Sequence, residues 1–180
     1  LQQGKKVSDE WFKDVDWEKT RAYGLGLGGV YVNQKGREAR GTVLPGKETE
    51  ALKNELKRKL SGLKDEEKTR TAINKVFDRN EIPSGPYKDN CPDLIVGYND
   101  GYRVSWDSVK GKVNDLVFED NAKAWSGDHC IDPGIVPGVF FSTKKINAAD
   151  PSIIDIAPTA LCLFGLEAPP HMDGRSLIDR

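Results

Sequence analysis

The sequence has little of what metal or acid–base chemistry needs: its 180 residues contain two histidines, three cysteines and one methionine. His129 and His171 are the only imidazoles that a metal site or a proton transfer could use. Cys91, Cys130 and Cys162 lie far apart with no C-x-x-C pair, which fits neither a zinc knuckle nor a disulfide scaffold. Cys162, within Ala160-Leu161-Cys162-Leu163-Phe164, reads as a small buried apolar residue. Neither sign of charge is in excess, with 27 Lys and Arg against 28 Asp and Glu. No long-range field is therefore expected to collect a nucleic acid polymer or an anionic membrane. No apolar run approaches the roughly 20 residues that span a bilayer, and residues 1–16 are too polar for a signal-peptide core. The run Gly24-Leu25-Gly26-Leu27-Gly28-Gly29 is not followed by Lys-Ser or Lys-Thr, so it reads as close backbone approach beside a strand rather than a phosphate cradle. No serine stands in a G-x-S-x-G elbow. A first residue of Leu rather than Met fits a terminus made by truncation or proteolysis.

What is present argues for a folded α/β chain. The length suits a single domain over 1–180, with 1–15 as a polar lead-in. Val30-Tyr31-Val32 predicts a strand, and Thr42-Val43-Leu44 a short extended piece between turn residues. From Lys47 to Leu63, Leu52, Leu56, Leu60 and Leu63 recur every three or four residues, which predicts an amphipathic helix. Glu48 and Glu50 near its start and Lys57, Arg58 and Lys59 near its end suit the helix dipole. Ala72 to Phe77 fits strand or helix, with strand favoured. Asp93 to Tyr98 reads as a buried strand, and Tyr102 to Trp106 as a second extended piece after the turn Asn99-Asp100-Gly101. Val136 to Phe141 is predicted as another buried strand. Pro151 to Leu166 predicts a helix that Asp155 caps, Pro158 enters in the first turn and Gly165 ends. Helices alternating with strands point to a layered sheet flanked by helices.

The chemistry concentrates in Trp125-Ser126-Gly127-Asp128-His129-Cys130-Ile131-Asp132, where an imidazole, a thiol and two carboxylates share one loop. Divalent zinc accepts nitrogen, oxygen and sulfur from such residues, and loops beside rigid strands are where ligands are offered. The same residues also fit a polar turn or a hydrogen-bonded histidine. His171, in Pro169-Pro170-His171-Met172-Asp173-Gly174, reads as an exposed turn residue.

Several segments, in one order, resemble bacterial type I phosphodiesterase/nucleotide pyrophosphatase proteins of the alkaline-phosphatase superfamily. They are Asp16-Trp17-Glu18-Lys19-Thr20-Arg21-Ala22-Tyr23, Gly28-Gly29-Val30-Tyr31-Val32-Asn33 with Lys35-Gly36-Arg37-Glu38, Pro92-Asp93-Leu94-Ile95-Val96-Gly97-Tyr98, Gly127-Asp128-His129 and Asp155-Ile156-Ala157-Pro158-Thr159. The last of these, with the ending Met172-Asp173-Gly174-Arg175-Ser176-Leu177, is shared more widely across the superfamily, including sulfatases and phosphoglycerate mutases. The resemblance implies that the chain is the C-terminal portion of an alkaline-phosphatase-like domain. It implies a metal-dependent hydrolase of small phosphate esters, with two divalent ions, usually zinc, in the intact protein. The family's last metal-ligand histidine comes from a Gly-x-His-x-x-Asp loop, which Gly127 to Asp132 match with His129 as the ligand. Asp128 or Asp132 would orient its second ring nitrogen. Cys130 departs from the glycine that the family usually carries there. The nucleophile and remaining ligands belong to motifs absent from these residues, so the chain by itself is expected to be inactive. The alternative is a non-catalytic folded module of the same fold.

Overall fold

The computed structural model describes residues 1–82, 85–125, 127 and 130–179. The chain divides into two compact units, Leu1–Pro137 and Gly138–Arg180.

In the first unit, strands β1 (Ala22–Leu25), β2 (Gly29–Val32), β5 (Ile73–Asp78) and β6 (Leu94–Tyr98) form one sheet in the order β1-β2-β6-β5. Every pairing is antiparallel. A small second sheet pairs β3 (Lys64–Asp65) with β4 (Arg70–Thr71). The molecule is thus mixed α/β with a mainly antiparallel sheet. The glycine run closes the β1–β2 hairpin. Gly26 and Gly28 take left-handed φ of 79° and 106°, and a Cβ on Gly29 would sit 2.8 Å from the Pro92 ring. Close backbone approach accounts for these glycines.

Helix α1 (Lys47–Leu60) is one turn shorter than the leucine period suggests. Gly62, at φ +76°, turns the chain, and the Ser61 N–H closes the helix on the Lys57 carbonyl at 2.9 Å. Leu63 nevertheless joins Leu56 and Leu60 against Ile73, Val76, Leu94 and Val96. Leu56 also reaches a second cluster of Val32, Val43 and Leu52, so one helical stripe covers the sheet at two places. Val43 reaches that cluster from an isolated bridge with Gln34 rather than a full strand. The polar lead-in is docked: Ser8 bridges Val113, and the Trp11 and Phe12 amides donate to the Lys110 and Gly111 carbonyls at 2.8 and 2.9 Å.

Two expected extended segments are not strands. Within Tyr102 to Trp106 no strand forms, and the short helix α2 (Trp106–Val109) starts from Ser105, whose hydroxyl accepts the Asp107 N–H. Val136 to Phe141 is coil, with Val139 and Phe141 85% and 90% exposed. Pro137 lacks the N–H a ladder needs and Gly138 carries no side chain to pack, so the apolar run has no sheet to join.

Asp93 holds the sheet together electrostatically. Its side chain is 1% exposed at the entry to β6, and its carboxylate accepts the Val32 N–H at 2.7 Å and two Arg37 N–H groups at 2.9 and 2.6 Å. The same guanidinium donates to the Val32 carbonyl at 2.7 Å and to Glu38 at 2.8 Å. Burial alone would push the Asp93 carboxyl up, but the Arg37 fork and the Val32 amide hold it below the ordinary carboxylate range. Lys53, 2% exposed, is bonded to Asp78 at 2.7 Å and Glu50 at 2.8 Å, which keeps its ammonium charged although burial opposes the charge.

In the second unit, a short 3-10 turn (Ile153–Asp155) leads into α3 (Ile156–Leu163), and Gly165 at φ +71° follows its end. Asp155 stands at the cap position, but its carboxylate serves other amides than those of α3: Ser152 at 2.9 Å and Arg175 at 2.9 Å. Thr159 accepts the Leu177 N–H at 2.9 Å. A Cβ on Gly174 would fall 2.1 Å from the Ile154 carbonyl oxygen, so the ending Asp173-Gly174-Arg175-Ser176-Leu177 fits only with glycine there. Cys162 is half-buried rather than buried, its thiol facing the Ile178 carbonyl at 3.8 Å.

Because the folded Asp93 carboxyl titrates below its unfolded value of about 4, its contribution is present above that pH and lost as pH falls through the folded value. Urea melts from pH 7 down to pH 2 should show this acid loss, flattened in Asp93→Asn. Arg37→Ala should cost about 3 kcal/mol at pH 7, because it strands a buried carboxylate that Arg79 approaches only to 3.7 Å.

Candidate functional site

The loop carrying the chemistry is fixed at its downstream end by the sheet. Ile131 forms a parallel bridge with Tyr98, the last residue of β6, and the Asp132 N–H donates to the Tyr98 carbonyl at 2.9 Å. Asp132 is 3% exposed. Its Oδ2 accepts from the Asn74 amide on β5 at 2.7 Å, and its Oδ1 accepts the Gly134 N–H at 2.8 Å, capping the 3-10 turn Pro133–Ile135. This approach depends on Gly97: a Cβ there would meet the Lys75 carbonyl oxygen at 3.0 Å, the Phe77 ring at 3.0 Å and the Asp132 Cβ at 3.1 Å. The buried carboxylate therefore needs both an amide partner and a neighbour without a side chain.

Arg103 holds the upstream end. Its Nη1 donates to the Gly127 carbonyl at 3.1 Å and the Trp125 carbonyl at 3.4 Å, while its guanidinium lies 4.8 Å from the centre of the Trp106 ring. Such stacking on indole keeps an arginine in one plane while its edges donate. Asn121 adds a 2.6 Å bond to the Trp125 carbonyl, and the Trp125 ring itself is 75% exposed.

His129 and Asp128 lie outside the described residues, so the metal-ligand assignment of His129 stays an expectation about the middle of this loop. Of the two carboxylates expected to serve it, Asp132 has both oxygens engaged by Asn74 and Gly134. Cys130 is half-buried. His171 is exposed in a turn that the Met172 N–H closes on the Pro169 carbonyl at 3.0 Å. Among the described residues, no three His, Cys, Asp or Glu side chains gather as a metal site. Among the described residues, no helix is long and apolar enough to cross a membrane.

Two features escaped sequence reasoning. Asn74 and Arg103 carry no local signal, since their partners are some 58 and 24 positions away in sequence. The second feature is an open cavity of about 590 Å³. Phe12, Trp17 and Tyr23 line it and meet edge to face at 5.2–5.6 Å, with Lys13, Glu38 and Arg40 at its border. Burial, and then the charge of Glu38, push the Tyr23 phenol up. Asn33 also lines it, its amide nitrogen donating to the carbonyls of Trp17, Thr20 and Arg40 at 2.8–3.0 Å.

No protein-family model matches the chain, and no solved structure matches it. Over 93 residues, half of the chain, it is 32% identical to the 2,3-bisphosphoglycerate-independent phosphoglycerate mutases of Pseudomonas paraeruginosa and of two strains of Pseudomonas aeruginosa. The similar stretch spans 18% of the length of those relatives. The chain is thus a mixed α/β protein distantly similar to one enzyme type of the alkaline-phosphatase superfamily. These relatives are mutases rather than phosphodiesterases.

Gly97→Ala should drive Asp132 off the sheet and cost about 1–3 kcal/mol, as other overpacked sites do. Gly127→Ala, with no atom within 4 Å of the added carbon, serves as the neutral control. Chemical denaturation of both variants, together with amide exchange at Asp132, checks this. Equal stability in the two would remove the close approach from the account of the loop.

Proposed function

We propose that this chain is the C-terminal part of a metal-dependent enzyme acting on phosphate esters, in which His129 supplies one ligand to a divalent ion. The observation that carries the reading is the anchoring of the Gly127–Asp132 loop against the end of β6. A catalytic metal needs a ligand delivered from a rigid element, and this loop ends on a central sheet strand. The family-like segments occur in one order, and half of the chain has distant identity to phosphoglycerate mutases, which supports the same superfamily. An alkaline-phosphatase-like fold for the intact domain belongs to this proposal.

Within that class the reading favours a phosphodiesterase or nucleotide pyrophosphatase type of hydrolase, because Gly127-Asp128-His129-Cys130-Ile131-Asp132 has that family's spacing. Zinc is the metal of choice, since neutral imidazole suits it and two such ions would clamp the attacking and leaving oxygens of a phosphate ester. The nucleophile and the other ligands would come from polypeptide outside these 180 residues. By itself the chain would bind zinc weakly and turn nothing over.

In a longer protein that contains this chain, His129→Ala should remove one metal ion per molecule and lower hydrolysis of a nitrophenyl phosphodiester by orders of magnitude. His171→Ala should leave both unchanged. Elemental analysis with steady-state rates on the two variants decides the matter. Unchanged metal content in His129→Ala, or equal loss in both, would return the loop to a polar turn and leave a non-catalytic module.

A further inference from the structure

The lining of the aromatic cavity runs over residues 2–40 and takes nothing from the Gly127–Asp132 loop. We infer that this cavity binds a small flat ring that carries a hydrogen-bond donor on one side and a single negative charge on the other, as in a hydroxyaryl or indolyl carboxylate. The inference is independent of the reading of His129 as a metal ligand. At about 590 Å³ the cavity has the size of small-molecule sites, which run from about 300 to about 1,000 Å³. Its aromatic wall is fixed before any ligand arrives. Phe12, Trp17 and Tyr23 meet edge to face, and Tyr31 stacks on Tyr23 with ring centres 5.4 Å apart. The Phe12 ring lies so close to Gly111 that a Cβ there would come within 2.9 Å of it. Rings already packed on one another lose little freedom when a further ring joins them.

The backbone of this wall is strained. Among the described residues three that are not glycine have left-handed φ, and two of them are Trp11 at 62° and Phe12 at 55°. Bulky side chains rarely adopt that region, and such conformations collect at ligand clamps where neighbouring bonds enforce them. Here the enforcing bonds run from the Trp11 and Phe12 amides to the Lys110 and Gly111 carbonyls. Trp11, which also lines the cavity, is left 80% exposed, a large ring available to cover a ligand. Two polar features then define the ligand. Asn33 lines the cavity and is fully buried, with its amide nitrogen engaged by three backbone carbonyls. Its Oδ1 is the one buried side-chain nitrogen or oxygen among the described residues that lacks a partner. An unpaired buried acceptor is costly, and an N–H or O–H brought in by a ligand as the lining gives way would satisfy it. At the border, Glu38 is already bonded, its oxygens accepting the Gln34 N–H at 2.7 Å and the Arg37 Nε–H at 2.8 Å. Lys13 and Arg40 are exposed, and neither is paired with a carboxylate among the described residues. The uncommitted charge at the border is therefore positive, which favours an anion, while Glu38 beside it disfavours a second negative charge.

The test uses the whole 180-residue chain, labelled with ¹⁵N, and two probes, para-hydroxybenzoate and indoleacetate. The sequence has four tryptophans, each with one indole N–H signal: Trp11 and Trp17 line the cavity, and Trp106 and Trp125 are internal controls. Each probe should shift the Trp11 and Trp17 signals saturably, leave the control pair in place, and slow amide exchange at Trp11 and Phe12. Removing the donor, with para-methoxybenzoate in place of para-hydroxybenzoate, should weaken binding about tenfold, the effect of one hydrogen bond. Removing the charge, with para-hydroxybenzyl alcohol as the ligand or with Lys13→Gln and Arg40→Gln combined in the protein, should weaken it about fivefold. Because both cations are exposed, the double substitution should leave the thermal midpoint near that of the unaltered chain. No saturable movement of Trp11 and Trp17 with either probe, or equal movement of all four indoles, overturns the site. Equal affinity for the hydroxy and methoxy acids overturns the donor to Asn33, and equal affinity for the acid and the alcohol overturns the anion.

Discussion

The buried carboxylate of Asp93 is the interaction on which the first unit depends. A charge that is 1% exposed would be prohibitive without partners, and Asp93 takes them from three directions: the Val32 amide on β2, the Arg37 fork beyond it and, more distantly, Arg79 beyond β5. Because Arg37 also closes on the Val32 carbonyl and on Glu38, the turn after β2 is held in the same network. Glu38 in turn accepts the Gln34 N–H at 2.7 Å. The entry of β6, the register of β2 and the path to Val43 are thus fixed by one ion cluster, and the apolar packing under α1 is laid on that frame. Removing one member leaves the others buried and unpaired, so such a cluster acts more as a specifier of one arrangement than as a reserve of stability.

The placement of β6 then decides where the loop chemistry can go. Strand β6 is central in the sheet, flanked by β2 and β5, and Tyr98 at its end receives Ile131. The carboxylate latch on Asn74 is possible only because β5 lies next to β6 and because Gly97 leaves room between them. A loop whose own residues are polar is in this way given a rigid origin. The aromatic cavity beside Phe12, Trp17 and Tyr23 takes part of its lining from Tyr23 and Leu25 of β1, and the docked lead-in supplies part of its wall.

Local pattern made several elements legible. The leucines at 52, 56 and 60 announce α1, and the apolar runs around Val30, Val76 and Val96 announce β2, β5 and β6, because each has the period of its element and a buried side to satisfy. What local pattern does not encode is the partner. The alternation of helix and strand said nothing of strand direction, and the sheet is antiparallel throughout. Val136 to Phe141 is as apolar as a core strand, yet Pro137 and Gly138 deny it a ladder and Phe141 is 90% exposed. At the site, the Gly-x-His-x-x-Asp spacing drew attention to a loop whose downstream end the sheet holds. The groups that hold it, Asn74 and Arg103, are ordinary polar residues whose importance comes only from who they meet across the fold.

The bridge between Tyr98 and Ile131 makes the stretch 99–130 a closed excursion, leaving the sheet and returning to the residue it left. The entropy of closing such a loop grows only with the logarithm of its length, about 0.6 kcal/mol for each doubling. Residues can therefore be gained or lost within the excursion without moving either of its feet. That freedom belongs to the parts of the excursion that carry no anchor, since Arg103, Trp106 and the stretch from Lys110 to Val113 that docks the lead-in must keep their places, while Gly97 and Asp132 keep the return point where it is.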